Sequence, residues 1–140
     1  MILAIAYAED LEVHQADVVT AYPRAELYAE VYICKIDRLI LSANKVLQIC
    51  KAFYRLKQAG CEWYIEACNT LAKFGLQPAF NDPSVFINTD KSLVVELFVD
   101  NIIITAKTLD AVKEFKKSFG LIYKIKDLRE IYKYLGLTIT

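Results

Sequence analysis

The chain has 140 residues, a hydrophobic fraction of 56% and a formal net charge of zero. This composition excludes a disordered polyelectrolyte and predicts one globular domain with a sizeable core. The apolar run from Met1 to Ala8 is too short to span a bilayer and has no basic leader. We therefore expect neither a signal peptide nor a membrane anchor, and an intracellular location in the cytoplasm or nucleus.

Cysteine spacing argues against a metal or disulfide framework. The four cysteines are Cys34, Cys50, Cys61 and Cys68. None of them forms a Cys-x-x-Cys pair, and the single His14 cannot complete a usual zinc spacing. We expect small buried thiols, with no disulfide and no zinc ion.

The first half of the chain predicts helices and short strands between polar breaks. Apolar spacing indicates a helix over residues 2–10, and strand character follows over 11–19 around Asp17. The other expected elements of this half are a strand at 27–33, a loop at 35–45, a strand at 46–50, a helical pattern at 52–58 and, after a break at Gly60, a helix through Phe74 that Gly75 caps.

The second half predicts more strands and one further helix. A proline-containing loop at 77–83 leads into a strand at 84–88, and Thr108 is a suitable N-cap for a helix that ends at Gly120. Strands at 122–125 and 132–139 close the chain, with Gly136 as a bulge or a point of close approach. Helices and antiparallel strands alternate without a glycine-rich phosphate loop, which predicts an α+β fold.

Between these elements, residues 93–106 predict a buried hairpin. Two runs of β-branched and aromatic residues meet at Asp100-Asn101, a pair typical of tight turns. A carboxylate at such a tip needs solvent, a counterion or a metal. Asp17, in another apolar strand, could bind a divalent cation together with Asp100. Turn geometry alone is an alternative explanation of the Asp100-Asn101 pair.

Charge is unevenly distributed along the chain. Residues 1–34 carry six acids against one base, whereas residues 107–140 carry eight bases against four acids. The basic segment could follow a phosphate backbone if the fold gathers its lysines and arginine on one face. Interleaving with Asp and Glu is equally typical of an ordinary solvated surface.

Five motifs follow one another in order along the chain. They are Gln15-Ala16-Asp17-Val18-Val19-Thr20-Ala21-Tyr22, Glu26-Leu27 with Glu30-Val31-Tyr32-Ile33, Tyr54-Arg55-Leu56-Lys57-Gln58-Ala59 with Trp63-Tyr64, Phe98-Val99-Asp100-Asn101, and Lys126-Asp127-Leu128 with Tyr134-Leu135-Gly136-Leu137. In this order they resemble the reverse transcriptase of copia-type retrotransposons, and the resemblance covers nearly the whole chain. It implies an antiparallel palm sheet with a catalytic-type hairpin packed on helices, here as a partial domain over 1–140 without the upstream fingers.

The resemblance also implies roles for individual residues. Asp17 and Asp100 match catalytic metal-binding aspartates, which in the family hold two Mg²⁺ ions for nucleotidyl transfer. Three residues match nucleotide-contacting positions, namely Tyr22, Lys57 and Gln58. Leu135 and Gly136 match the segment that grips the primer. Template-primer and deoxynucleotides are the implied partners.

Several departures predict a degenerate copy. Asn101 stands where the family has its second hairpin aspartate, which leaves two carboxylates and predicts weak or absent Mg²⁺ binding. Arg55, Gly60 and Arg129 depart from the family's Gly, Pro and Gly, so local turn geometry is expected to differ. We expect a truncated, catalytically impaired polymerase fragment. The alternatives are a nucleic-acid-binding remnant without catalysis and a pseudogene-like relic without activity.

Overall fold

The computed structural model describes residues 2–24, 26–33, 42, 45–51, 56, 59–131, 133–134 and 137–138. The helices are α1 (Ile2–Ala8), α2 (Ala59–Lys73) and α3 (Leu109–Gly120), with a short 3₁₀ helix at Tyr22–Arg24. The strands are β1 (Glu12–Val18), β2 (Glu26–Ile33), β3 (Leu47–Lys51), β4 (Leu76–Pro78), β5 (Val85–Asn88), β6 (Leu93–Phe98), β7 (Asn101–Ala106), β8 (Ile125–Glu130), β9 (Lys133–Tyr134) and β10 (Leu137–Thr138). The described helices are all too short or too polar to cross a membrane.

Helices combined with antiparallel strands confirm the coarse fold class, and the chain divides into two compact units. The first unit contains residues 1–20 and 68–140, and the second contains residues 21–67. The first unit is built on a six-stranded sheet with strand order β4-β5-β6-β7-β1-β8. Every strand pair in this sheet is antiparallel. Strands β9 and β10 form a separate antiparallel pair.

Successive residues of β1 and β7 point alternately to the two faces of the six-stranded sheet. Residues that are Cα partners share a face, so Asp17 and Asn101 lie on one side and His14 and Ile104 on the other. We call the side of Gln15, Asp17, Asn101, Ile103 and Thr105 the front face. The opposite side, which packs on α3, we call the helix face.

Aromatic packing forms the core on the helix face. Phe115 and Phe119 stack on α3 with ring centroids 5.3 Å apart, and Phe74 meets Phe115 edge-on at 5.7 Å. Phe119 also contacts Tyr123 at 4.9 Å. Each ring removes a large apolar area from water, so this cluster supplies much of the stabilisation of the first unit.

Local signals at the helix ends are confirmed. Thr108 is the N-cap of α3, and its side chain accepts a hydrogen bond from the Ala111 backbone N–H. Gly75 follows α2 with φ of 74°, the left-handed conformation expected of a C-terminal glycine. Gly60 was expected to interrupt the helix, but it lies within the first turn of α2, where backbone N–H groups lack intrahelical acceptors and glycine costs little.

One strand prediction and part of one loop prediction in the first unit are wrong. The strand expected at 122–125 begins only at Ile125, because Ile122 and Tyr123 still donate backbone hydrogen bonds to Phe119 at the end of α3. Part of the predicted loop at 77–83 belongs to β4, which pairs with β5. The expected bulge at Gly136 lies outside the described residues.

The hairpin of β6 and β7 is confirmed, but its turn consists of Val99 and Asp100. Asn101 is already paired in β7, opposite Phe98. The positive φ falls on Val99, at 58°, and not on the Asp-Asn pair to which we assigned the turn. A β-branched residue is strained in this conformation, because its Cβ substituents crowd the backbone.

The second unit contains a two-stranded sheet and the first part of α2. Strands β2 and β3 lie where the sequence predicts strands, and they pair in an antiparallel ladder. Tyr22 and Leu56 pack against the buried Ala59. The prediction of buried thiols is wrong for Cys50 and Cys61, which are exposed because β3 turns Cys50 outward and Cys61 lies on the open side of α2.

Candidate metal and nucleic-acid site

Strand pairing brings the two candidate metal-binding aspartates to one end of the sheet. Asp17 near the end of β1 is the Cα partner of Asn101 at the start of β7. Asp100 precedes Asn101 in the turn, and its carbonyl accepts a hydrogen bond from the Val18 backbone N–H at 2.7 Å. The structure therefore places Asp17, Asp100 and Asn101 together on the front face, although they are distant in sequence.

A chain of side-chain hydrogen bonds runs through Asn101. Gln15 Nε2 donates to Asn101 Oδ1 at 3.2 Å, and Asn101 Nδ2 donates to Asp100 Oδ1 at 3.2 Å. The amide thereby fills the position between Gln15 and the hairpin carboxylate. Gln15 was not among the predicted site residues. Its spacing of two from Asp17 in a strand could have indicated it, because such residues share a face.

The electrostatic surroundings of Asp17 disfavour its charged form. Burial raises the pKa of Asp17, and the Asp100 carboxylate raises it further, while Lys126 opposite on β8 acts in the other direction. The ionised Asp17 therefore costs stability at neutral pH, and protonation at lower pH relieves that cost. A cation bound beside the two carboxylates would reduce their repulsion and lower this cost.

The described residues do not supply the donors that two divalent ions require. Asp17 and Asp100 provide two carboxylates, and no group of three or more His, Cys, Asp or Glu side chains gathers anywhere in the described part of the chain. Asn101 offers one neutral amide oxygen, which already accepts from Gln15. Mg²⁺ prefers carboxylate oxygens at near-octahedral geometry, so this set fits a pair of ions poorly.

The remaining predicted site residues belong to the second unit or lie outside the described residues. Tyr22 belongs to the second unit, where it packs against Ala59. Lys57, Gln58, Leu135 and Gly136 lie outside the described residues. Their roles remain predictions.

Basic residues of β8 share the front face with Asp17. Lys126 is the Cα partner of Asp17, and Arg129 is the partner of Gln15 across an irregularity in the ladder. Both side chains are exposed. Two other bases of the basic segment are held by acids instead, since Lys113 pairs with Asp110 and Lys116 with Asp127. The fold thus gathers part of the basic segment on one face.

A second charged cluster occupies the helix face of β1. Lys116, with only 9% of its side chain exposed, pairs with Asp127 and lies 3.0 Å from His14 Nδ1. An ammonium group only donates, so Nδ1 accepts and the imidazole is neutral with its proton on Nε2. Burial lowers the pKa of His14, and Lys116 lowers it further, against the opposing effect of Glu12.

Asp127 is stabilised as a carboxylate in this cluster. Burial by itself would raise its pKa, but the hydrogen bonds from Lys116 and from the Arg129 backbone N–H outweigh burial and lower it. The Asp127 carboxylate therefore connects β8 to α3 and does not lie with Asp17 and Asp100. This role depends on long-range pairing, so it could not be predicted from the sequence.

Comparison with known proteins identifies the family of the chain. A family model described as reverse transcriptase (RNA-dependent DNA polymerase) matches residues 1–140. The chain is 28% identical, over 99% of its length, to a retrovirus-related Pol polyprotein from transposon TNT 1-94 of Nicotiana tabacum, and 30% identical over 98% to that from transposon RE1 of Arabidopsis thaliana. It is 26% identical, over 98% of its length, to the retrovirus-related Pol polyprotein from transposon RE2 of Arabidopsis thaliana.

The chain spans about a tenth of the length of these relatives, 11%, 10% and 10% in turn. No solved structure matches it. The family match extends over the strand and the hairpin that carry Asp17 and Asp100. The chain belongs to the reverse transcriptase (RNA-dependent DNA polymerase) family, with the Pol polyproteins of copia-type retrotransposons as its relatives.

Proposed function

We propose that this chain is a palm segment of a retrotransposon reverse transcriptase in which nucleotidyl transfer is impaired at position 101. The observation that carries the proposal is the register of β1 with β7, which sets Asn101 opposite Asp17. An aspartate at this position would give three clustered carboxylates. Asparagine gives an amide that bonds to Gln15 and to Asp100.

The physical consequence is a weaker site for divalent cations. Each carboxylate contributes a full negative charge and two acceptor oxygens, whereas an amide contributes one neutral acceptor. Reverse transcription depends on cations that position and stabilise the transferring phosphoryl group, so loss of one carboxylate reduces the rate by orders of magnitude. The remaining carboxylates still repel each other, as the raised pKa of Asp17 indicates.

Primer extension tests the proposal. The purified chain is incubated with an RNA template, a DNA primer, deoxynucleotides and either Mg²⁺ or Mn²⁺. We expect the parent chain to give no more product than its Asp17→Asn variant. Extension that is robust in the parent and absent in Asp17→Asn would overturn the claim of impairment.

A second candidate function, binding of nucleic acid without catalysis, is favoured by the front face of β8. Lys126 and Arg129 are exposed there beside Asp17 and Gln15. A phosphate backbone that passes this end of the sheet would meet two cations on one strand. The bases of α3 contribute less, because Lys116 is buried against Asp127.

The salt dependence of binding tests this candidate. Anisotropy of a labelled RNA–DNA duplex is titrated at several KCl concentrations, with the parent chain and with the double variant Lys126→Gln/Arg129→Gln. Two lost phosphate contacts reduce the slope of log K against log salt by about 2. Lys113→Gln is the matched control, since Lys113 already pairs with Asp110. Equal slopes for the double variant and the parent would exclude β8 as the contact.

A further inference from the structure

The front face also carries a cavity of about 360 Å³, remote from the two aspartates. Its wall is formed by the sheet, by α1 and by the loop after β4, and most of the wall is apolar. The apolar lining includes Ile5, Leu11, Val85, Ile87 and Val94, and Thr105 also belongs to the lining. We infer that this cavity binds a small, neutral aromatic molecule that carries a hydrogen-bond acceptor.

The apolar lining follows from the register of three strands. Thr105 on β7 is the Cα partner of Val94 on β6, and Val94 is the partner of Ile87 on β5. Ile5 and Leu11 complete the wall from the N-terminal segment. Small-molecule sites are typically concave, largely apolar and a few hundred Å³ in volume, and this cavity has the size of a ligand with one or two fused rings.

The hydroxyl of Thr105 gives the cavity its polar anchor. Thr105 is only 2% exposed, and its Oγ1 has no hydrogen-bond partner among the residues that the structure describes. Thr70, which is also buried in this unit, shares a hydrogen bond with the Tyr123 hydroxyl at 2.7 Å. Buried hydroxyls are normally paired, so the exception at Thr105 requires an explanation. Its Oγ1 is closed off from a water-sized molecule as it stands, so the inference includes a rotation about χ1 that turns the hydroxyl into the cavity, where it donates to an acceptor on the bound molecule.

Charges at the edge of the cavity select against anions. Among the described residues, the lining contains two acids, Glu9 and Asp82, and one base, Lys91. Burial raises the pKa of the nearby Glu96, and Asp82 raises it further, which shows that this region already disfavours negative charge. Phe80 is fully exposed at the edge and is free to cover an aromatic ring. A neutral aromatic ligand satisfies all of these features.

The cavity is separate from the candidate metal site. Thr105 is four residues from Asn101 along β7, a separation of roughly 14 Å at the usual rise of a strand. The inference rests on the cavity and its hydroxyl, and it holds whether or not the chain binds divalent cations.

Titration with prodan, a neutral naphthalene ketone whose emission reports polarity and hydrogen bonding, tests the inference on the full chain. We expect a saturable blue shift with the parent chain. Thr105→Val removes the donor at nearly constant shape and should weaken binding about threefold to tenfold. Thr89→Val, at an exposed threonine, is the matched control and should bind as the parent does. Equal affinity of Thr105→Val and the parent would overturn the anchoring role.

The position of the ligand is tested without relying on the fold of a variant. Methyl NMR spectra of the parent chain are recorded with and without prodan. We expect shifts at Ile5, Leu11, Ile87 and Val94, which line the cavity. If prodan shifts the signals of other methyl groups but not of these four, the dye binds elsewhere and the inference is refuted. Unchanged binding by a folded Val94→Trp variant would refute it as well.

Discussion

Strand β1 carries a charged cluster on each of its faces, and the two clusters are built in opposite ways. On the helix face, Lys116 is close to both His14 and Asp127, and its ammonium group forms an ion pair with the Asp127 carboxylate. On the front face, Asp17 lies near the Asp100 carboxylate in the turn of the neighbouring hairpin, and burial and repulsion by Asp100 raise the pKa of Asp17. The first arrangement stabilises the fold, whereas the second lowers the stability of the end of the sheet where the candidate cation site lies.

The surroundings of the two clusters also differ. The helix face is packed by stacked aromatic rings and by the capped helix α3. The front-face hairpin turns through Val99 at a positive φ of 58°, a conformation that a β-branched residue adopts at a cost. Strain and like charge at one end of a sheet are typical of a functional site, where the surrounding fold holds an arrangement that is locally unfavourable.

The largest expected effect on stability comes from breaking the paired cluster. Asp127→Asn leaves the Lys116 ammonium buried without its counterion, and we expect a loss of about 2 kcal/mol in the free energy of unfolding at neutral pH. Urea denaturation measures this loss. Lys116→Met removes the cation as well and should cost much less, because no buried charge is left unpaired.

The paired cluster also predicts a direction for pH dependence. The lowered pKa values of Asp127 and His14 mean that folding favours the carboxylate and the neutral imidazole. Their stabilisation is therefore lost as pH falls, first below the usual range of histidine and then through the titration of Asp127. A flatter acid branch of the stability curve in Asp127→Asn than in the parent checks this assignment, and identical curves would contradict it.

The strained turn predicts a gain on substitution. Val99→Gly removes the crowding at positive φ, and we expect a gain of about 1 kcal/mol in unfolding free energy despite the added backbone freedom. The matched control is Val46→Gly, at an exposed valine without positive φ, where only the entropic loss applies. A Val99→Gly chain less stable than the parent would show that the turn is not strained.

The smallest expected effect comes from relieving the front-face repulsion. Asp17→Asn removes a carboxylate that burial and Asp100 both disfavour, and we expect a gain of roughly 0.5 kcal/mol at pH 7. The gain should shrink as pH falls, because the parent Asp17 is then protonated and no longer repelled. Thermal melts at neutral and acid pH measure both. A loss of stability at pH 7 would mean that Asp17 is favourably paired.

Local features of the fold could be predicted from the sequence, and long-range features could not. The cap at Thr108 and the glycine at Gly75 depend on neighbouring residues, so both were predictable. The pairing of Asp127 with Lys116 depends on how β8 meets β1 across an irregular register. The cavity at Thr105 depends on three strands and a helix, which no single stretch of sequence encodes.

The candidate site shows the same division. Asp17, Asp100 and the significance of Asn101 followed from a resemblance of motifs, while Gln15 emerged only from its hydrogen bond to Asn101. The turn residue was misassigned by one position, because Asp-Asn favours positive φ in general and only the pairing of Asn101 with Phe98 excludes it from the turn.

Manganese titration of the Asn101→Asp variant tests most directly the claim that position 101 limits the cation site. Free Mn²⁺ is measured by electron paramagnetic resonance with the parent chain, with Asn101→Asp and with Asn101→Asp/Asp17→Asn. We expect Asn101→Asp to bind Mn²⁺ at least about tenfold more tightly than the parent, and the double variant to lose that gain. A parent chain that binds two Mn²⁺ ions as tightly as Asn101→Asp would contradict the account.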